Sequence, residues 1–331
     1  MPKVSVVVPV YGVEKYMERC ARSLFEQTLD DMEFIFVDDC TPDSSMEILE
    51  WLIDEYRHRF VEMKYAVKIE KMPVNSGLAI VRRRGVQLCT GDYIIHCDSD
   101  DYVHRDIYRK MYERAIAEQA DVVVCDFALT DGDPAKTEIM PCCSRTEIIS
   151  CHSRTPVELV ENCLLRIDSW SLCNKLFRKS AYLDITYPLG AMGEDMVCVM
   201  QLLRNCDTIS YIDEPLYYYF CNPNSITKFV TKDACVKKFG ELYANSNIVI
   251  DFLRRRGMTD RMKCAMVTYK NFVRSALYPL VWDREYYRMW NDIFPDLNRE
   301  VIMSSDIPVS EKIRVILTIL HLYPRRRHRA M

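Results

Sequence analysis

Glu33-Phe34-Ile35-Phe36-Val37-Asp38-Asp39 (33–39) decides how this chain folds. Its apolar residues follow one another without a polar alternate, so the run over Glu33–Val37 reads as a strand covered on both faces. Two carboxylates stand at its end. Working outward, the same design recurs. Upstream, Val4-Ser5-Val6-Val7-Val8 is a first strand, and Val13, Met17, Cys20, Ala21 and Leu24 follow it at helical spacing. Downstream, Pro42-Asp43-Ser44 opens a helix carrying Met46, Leu49 and Ile53. Tyr65–Ile69, Tyr93–His96 and Asp121–Cys125 read as further strands, with helices over Gly77–Leu88 and Tyr108–Glu118 between them. Strand–helix alternation with apolar strands predicts an α/β fold: a Rossmann-like, mostly parallel sheet flanked by helices.

After Phe127 the pattern changes. Residues 131–153 are polar, with Gly132, Pro134 and Pro141, and read as a loop or insertion. Helical patterns return over Pro156–Ile167 and Met196–Leu203, and after Tyr217-Tyr218-Tyr219 they dominate: Ala234–Arg255, Asp260–Leu277 and Val309–Leu322. The expected division is a domain over 1–222, with halves 1–126 and 127–222, and a mainly helical C-terminal region over 223–331. The boundary falls near Asn222–Ser225.

Composition narrows the function. Apolar residues make up 49% of the 331, enough for a buried core, and a net charge of −4 gives no basic excess for nucleic acid. The fifteen cysteines show no C-x-x-C spacing, so neither a thiolate metal site nor an extracellular disulfide framework is expected. Met1-Pro2-Lys3 runs straight into the first strand, and the apolar stretches fall well short of the ~20 residues that span a bilayer. The expectation is a reduced, cytoplasmic protein.

In parallel sheets, ligands bind beyond the carboxyl ends of the strands. Here the second strand ends in Asp38-Asp39 and the fourth in Asp98-Ser99-Asp100-Asp101. Carboxylates gathered there repel one another unless a cation lies between them, and Mg²⁺ or Mn²⁺ with phosphate oxygens suits such hard ligands. The plainer reading makes each Asp a turn residue or a helix N-cap, Asp101 or Asp106 for the helix that follows. No G-x-G-x-x-G and no G-x-x-x-x-G-K-[ST] occurs, so a bound diphosphate would need neutralising by other means.

With those residues in view, the sequence resembles the family 2 glycosyltransferases of the GT-A fold. The likeness rests on Val4–Tyr16, on Ser23-Leu24-Phe25-Glu26-Gln27-Thr28 and on Phe34–Asp43. It continues through Asn75-Ser76-Gly77, Arg82, Gly85, Gly91-Asp92-Tyr93 and Asp98-Ser99-Asp100-Asp101, covering roughly the first third of the chain in order. Looser matches are Cys173-Asn174-Lys175-Leu176-Phe177-Arg178, Gly193-Glu194-Asp195, and Tyr217–Thr227 with its Ser225-Ile226-Thr227.

The resemblance implies roles. Pro9 and Tyr11 line the base pocket of a nucleotide-sugar donor, and Asp39 accepts a hydrogen bond from the base. Arg82 lies near the nucleotide and Asp98 near ribose and sugar, while Asp100, with Asp101, holds Mn²⁺ or Mg²⁺. Asn174, Lys175 and Glu194 belong to the acceptor side, and Asp195 is the general base. The partners implied are a nucleotide-diphosphate sugar, with UDP the expected nucleotide, and a glycan or lipid-linked acceptor. Two positions depart from the family pattern: Gly12 stands where Asn is usual, and Arg83 replaces a common Asn.

The chemistry is consistent with this. A stabilised diphosphate leaving group and one base on the opposite face give direct displacement with inversion. Read from the residues alone, Glu194-Asp195 after Gly190 and Gly193 are equally acids that complement a helix dipole. Gln201-Leu202-Leu203-Arg204-Asn205 echoes the Q-x-x-R-W of membrane-embedded processive synthases, but it lacks the Trp, and Gln201 and Arg204 read as a solvated helix face. A sugar-phosphate nucleotidyltransferase would show a Gly-rich first loop where Pro9-Val10-Tyr11-Gly12 stands. A receiver-like signalling module would carry its acids after the first strand. Near the C-terminus, Ile313, Ile316, Leu317 and Leu320 recur at helical spacing before Pro324-Arg325-Arg326-Arg327-His328-Arg329. This reads either as peripheral attachment to an anionic membrane, at the inner face of the cell membrane, or as a docked helix with a solvated tail.

Overall fold

The computed structural model describes residues 1–130, 155–188, 190, 192–222 and 231–323, together with the backbone of 138–140. The chain divides into two compact units, Met1–Leu159 with Ser169–Pro223, and Val160–Asp168 with Asn224–Met331.

In the first unit, strand β1 (Val4–Val10) lies between β2 (Met32–Asp38) and β4 (Tyr93–His96), parallel to both, with Val7 opposite Ile35 on one side and His96 on the other. Every residue of β1, β2 and β4 is buried, as uninterrupted apolar runs require. One face of these strands presents Val6, Val8, Val10, Phe34 and Phe36 to a core built with α1 (Glu14–Phe25), α2 (Ser45–Glu55) and α5 (Ile107–Glu118). The short α3 (Arg57–Met63) follows α2 directly. The other face presents Val7, Ile35, Val37 and Ile94 to Val81 of α4 (Leu78–Leu88). A Cβ on Gly85 would stand 2.4 Å from Val7 Cγ1, so this glycine is what lets α4 lie so close to the sheet.

Among the described residues the sheet runs β3-β2-β1-β4-β8-β6-β9-β5, with β7 added to β6. Strand β3 (Ala66–Lys71) forms one edge and carries the Lys and Glu side chains that discourage edge pairing. Because β1 has β2 on one side and β4 on the other, the winding direction reverses there, and the crevice beyond their carboxyl ends is where such sheets bind ligands. The rest is mixed. Strand β8 (Lys175–Arg178) is antiparallel to β4 and to β6 (Val122–Thr130), β9 (Ile209–Phe220) is parallel to β6, and β5 (Tyr102–Val103) is antiparallel to β9.

Four of these strands were not anticipated. Strand β5 has only two residues, too few to show a period. The run Lys175-Leu176-Phe177-Arg178 is short and charged at both ends. The run over β9 is interrupted by Asp213-Glu214-Pro215, which sit at a break in the β6–β9 register, the place a proline tolerates in a sheet. Strand β7 (Glu138–Met140) pairs with β6 inside the stretch expected to be a loop; the remainder of 131–153 lies outside the described residues, apart from that strand.

Helix α6 (Pro156–Leu164) precedes β8, and α7 (Glu194–Arg204) lies between β8 and β9. The second unit contains α8 (Lys232–Arg256), α9 (Asp260–Ser275), α10 (Arg284–Asp292), α11 (Leu297–Met303) and α12 (Val309–Ile319). Thr231 and Thr259 cap α8 and α9 by accepting from the N–H of Ala234 and Met262. Its core holds Met262, Tyr269, Trp290, Leu297 and Val301, with the Arg274 guanidinium 4.3 Å from the Trp290 ring centre. No described helix is long and apolar enough to cross a membrane, and none of the described cysteines is in a disulfide.

Candidate active site

The site is built where the carboxyl ends of β1, β2 and β4 meet. After β1, Pro9 is buried within the strand register and Tyr11 is 52% exposed at the tip of the turn, followed by Gly12 at φ 68°. The turn is held by its neighbour. Thr41 Oγ1 accepts from the Gly12 N–H (2.8 Å), Ser45 Oγ from Val13 (3.1 Å) and Asp43 Oδ2 from Glu14 (2.9 Å). The amino end of α1, which has no cap of its own, is therefore capped by the turn that follows β2. Asp38 shapes that turn by accepting from the Thr41 N–H, and Cys40 occupies the left-handed region at φ 57°. Asp39 faces the other way: its oxygens accept from the N–H groups of Ser76 (2.6 Å) and Gly77 (2.9 Å) at the amino end of α4.

The acidic turn after β4 is fixed from β9 and α1. Tyr217 Oη donates to Asp101 Oδ2 (2.5 Å) and accepts from the Asp98 N–H (3.2 Å), while the Phe220 N–H donates to Asp101 Oδ1 (2.7 Å). Asp101 thus caps no helix; both of its oxygens are engaged in holding the turn. Asn222 Nδ2 donates to Asp100 Oδ2 (3.0 Å). Arg19, stacked between Tyr102 and Phe220, donates to the Asp100 carbonyl (2.7 Å). Burial, then the charge of Asp98, raises the Asp100 carboxyl above the usual carboxylate range, and Asp101 is raised further by burial and by both neighbours. Acids in that condition are suited to a cation. Yet no cluster of three or more His, Cys, Asp or Glu side chains able to hold a metal occurs among the described residues.

Arg82 joins this turn to the beginning of α7. Only 2% exposed, it donates through Nη2 to Asp98 Oδ1 (2.6 Å) and through Nη1 to Glu194 Oε1 (2.9 Å) and Asp195 Oδ1. Burial opposes its charge, and the carboxylates of Asp195, Asp98 and Glu194 more than restore it. The acids respond in turn. Burial, then the charge of Asp195, pushes Glu194 up to about 8 against the pull of Arg82. Asp195 is also raised, by burial first, although 29% of its side chain still reaches solvent. Behind Arg82, buried His96 is held well below its usual range by burial and by the guanidinium charge, with Nε2 3.2 Å from Tyr182 Oη.

The structure therefore brings Arg82, Asp98, Glu194 and Asp195 into one network, and places Asp100 and Asp101 on the same turn as Asp98. Asn174 and Lys175 are buried instead. Asn174 Nδ2 donates to the Cys125 carbonyl, and Lys175 Nζ donates to the carbonyls of Ser169 and Ser171 and to Asn174 Oδ1, a complete set for an ammonium. They fix the 169–173 segment rather than offering free groups. Gln201 corrects an expectation: it is buried, not solvated, and its amide both accepts from the Thr186 N–H and donates to the Thr186 carbonyl (2.8 Å each). That pins Thr186, in the irregular segment between β8 and the Glu194-Asp195 pair. Arg19, Asp43, Tyr217 and Asn222 had no role assigned from sequence. The motif Ser225-Ile226-Thr227 lies outside the described residues.

Residues 5–175, which carry the turns after β1, β2 and β4 and also Arg82, match the family model described as glycosyl transferase family 2. The chain belongs to that family. The uncharacterized glycosyltransferase EpsJ of Bacillus subtilis is 32% identical to this family member over 240 residues, 71% of this chain and 65% of EpsJ. The chain thus spans slightly under two thirds of that curated relative's length. The cholesterol galactosyltransferase of Borreliella burgdorferi is 24% identical over 301 residues, 87% of this chain and 77% of that protein. Among solved structures, S. aureus TarS 1-349 in complex with UDP-GlcNAc superposes with a TM-score of 0.70 at 18% identity, over 97% of this chain and 88% of that one. At that identity the likeness establishes the fold, and the fold is the GT-A type expected from sequence.

Proposed function

We propose that this protein is an inverting glycosyltransferase that moves a sugar from a nucleotide-diphosphate sugar, a UDP-sugar by expectation, to a hydroxyl of a glycan or lipid-linked saccharide in surface polysaccharide biosynthesis. One observation carries the reading. Arg82 ties the acid at the end of β4 to the Glu194-Asp195 pair, so a prospective base stands fixed beside the donor-side turn. Asp195 accepts the proton of the acceptor hydroxyl as its oxygen attacks the anomeric carbon. The bond from that carbon to the diphosphate oxygen breaks, and the configuration inverts. A carboxylate raised above its ordinary range is the stronger base for this step. On the donor side, Tyr11 and Pro9 flank the base, Asp39 orders the turn at the amino end of α4, and Asp98 meets ribose and sugar. The acceptor side is shaped by Glu194 and by the segment that Asn174 and Lys175 hold.

The acids fit a divalent cation. Asp100 would hold Mn²⁺ or Mg²⁺, and Asp101 would keep the turn in place. When bound, the ion neutralises charge on the leaving diphosphate. The reading places the reaction at the inner face of the cell membrane, where a lipid-linked acceptor is presented.

The test is a thermal-shift panel of UDP, GDP, dTDP and CDP, each with and without Mn²⁺, followed by analysis of the product released from the preferred donor. A metal-dependent rise in Tm with UDP and release of the nucleoside diphosphate are the expected results. Release of pyrophosphate would assign nucleotidyl transfer instead.

A further inference from the structure

We infer that the outward face of α12 is a docking surface for an anionic membrane. Val309, Ile313 and Ile316 of this helix, and Leu320 at its C-cap, are 70%, 50%, 39% and 58% exposed. They stand at i, i+4, i+7 and i+11, so at 3.6 residues per turn they occupy about 60° of arc. The residues that seat the helix, Val315 and Thr318, are fully buried and lie on the opposite side. The helix is therefore seated through Val315 and Thr318, with Leu317 and Ile319 half-buried beside them, while an apolar stripe points to solvent. Leu322 continues the exposed apolar run at 63%.

The charge pattern selects the occupant. The acid of this helix, Glu311, lies beside the buried side and is paired with Arg314 (2.7 Å), so no carboxylate stands on the outward arc. Lys312 flanks that arc, and the sequence continues into Arg325-Arg326-Arg327-His328-Arg329. An apolar stripe bordered by cations fits the boundary between acyl chains and anionic headgroups. A second copy of the chain would bring like-charged runs to the same apolar contact, which opposes that pairing.

Membrane docking is independent of the transfer reaction, and its test contains neither donor nor acceptor. The full chain is sedimented with phosphatidylcholine vesicles and with vesicles that also contain phosphatidylglycerol, at low and high salt. The comparison is the double variant Ile313→Ser/Ile316→Ser, whose Tm and size in solution are measured alongside. The expected result is binding to the anionic vesicles, weakened by salt, with an affinity about tenfold lower in the variant at unchanged Tm. Equal binding by both proteins, or no binding by the wild type, overturns the inference. A wild-type dimer that the variant converts to a monomer also overturns it and assigns the face to a second copy.

Discussion

Arg82 and Asp195, 113 residues apart in sequence, are hydrogen-bonded to each other where α4 meets the start of α7. Because the same guanidinium holds Glu194 and Asp98, one buried cation sets the distance between the Asp98–Asp101 turn and the Glu194-Asp195 pair. Arg82→Ala would leave the acids facing one another without compensation. Breaking a buried ion pair by removing one partner costs roughly 3–5 kcal/mol, so a marked fall in Tm is expected. Arg82→Lys keeps the charge but cannot reach both sides with a planar fork. It is expected to fold and yet to lose about 10²-fold in kcat, the scale of a small misplacement of reacting groups. Calorimetry with steady-state kinetics on both variants separates the two effects; a Lys variant with wild-type kcat would show that the geometry of the fork does not matter.

If Asp195 is the base, Asp195→Asn should leave donor binding nearly intact, since its amide oxygen can still accept from Arg82. Turnover should fall by about 10²–10⁴-fold, the contribution typical of general-base catalysis. The readout is kcat set beside the thermal shift produced by the nucleotide. A variant that turns over normally would remove Asp195 from the mechanism.

The raised carboxyl of Glu194 has a consequence for stability. Its folded-state pKa of about 8 exceeds the ordinary value of 4.5, so the folded state holds the proton more tightly than the unfolded chain does. The contribution is present in full below the unfolded value and is lost as pH rises through the folded one. Tm of the ligand-free, chelator-treated protein should therefore decline between about pH 5 and 8, and Glu194→Gln should flatten the decline. Parallel Tm–pH curves for the two proteins would contradict this.

The fold was legible where burial is continuous. Strands β1, β2 and β4 announce themselves because a strand covered on both faces cannot alternate, while Asp39 and Asp101, which follow β2 and β4, are buried too, held by hydrogen bonds from neighbouring segments. The site was legible only as far as sequence neighbours carry it. Arg82 is one of three consecutive arginines, Arg82-Arg83-Arg84, and composition does not separate them. Helical phase does: Ala79, Arg82 and Gly85 fall three apart on the buried face of α4, so a charged residue there needs buried partners. Asp98 is near in sequence, but Glu194 and Asp195 lie more than a hundred residues away, in a segment whose placement depends on β8 and β9. Those strands were missed because short length and the Asp213-Glu214-Pro215 interruption weaken the period that reveals a strand. Gln201 misled for a related reason: a polar side chain on a helix is read as solvated, whereas here it satisfies the buried backbone of Thr186.

Tyr217 gives the sharpest test of how the missed half of the sheet serves the acidic turn. Its hydroxyl donates to Asp101 and accepts from the backbone of Asp98, so a single oxygen ties β9 to both ends of the Asp98–Asp101 turn. Tyr217→Phe removes that oxygen and little else, leaving the buried Asp101 carboxylate and the Asp98 N–H each short of a partner. Leaving buried groups unsatisfied costs about 1–3 kcal/mol, so Tm should fall by several degrees. The loosened turn should also hold a cation less well. The Mn²⁺ concentration for half-maximal activity is then expected to rise, with kcat at saturating metal largely recovered. A variant that loses kcat without any change in its metal requirement would place Tyr217 beside the reacting groups. One that loses stability alone would confine the turn to a structural part.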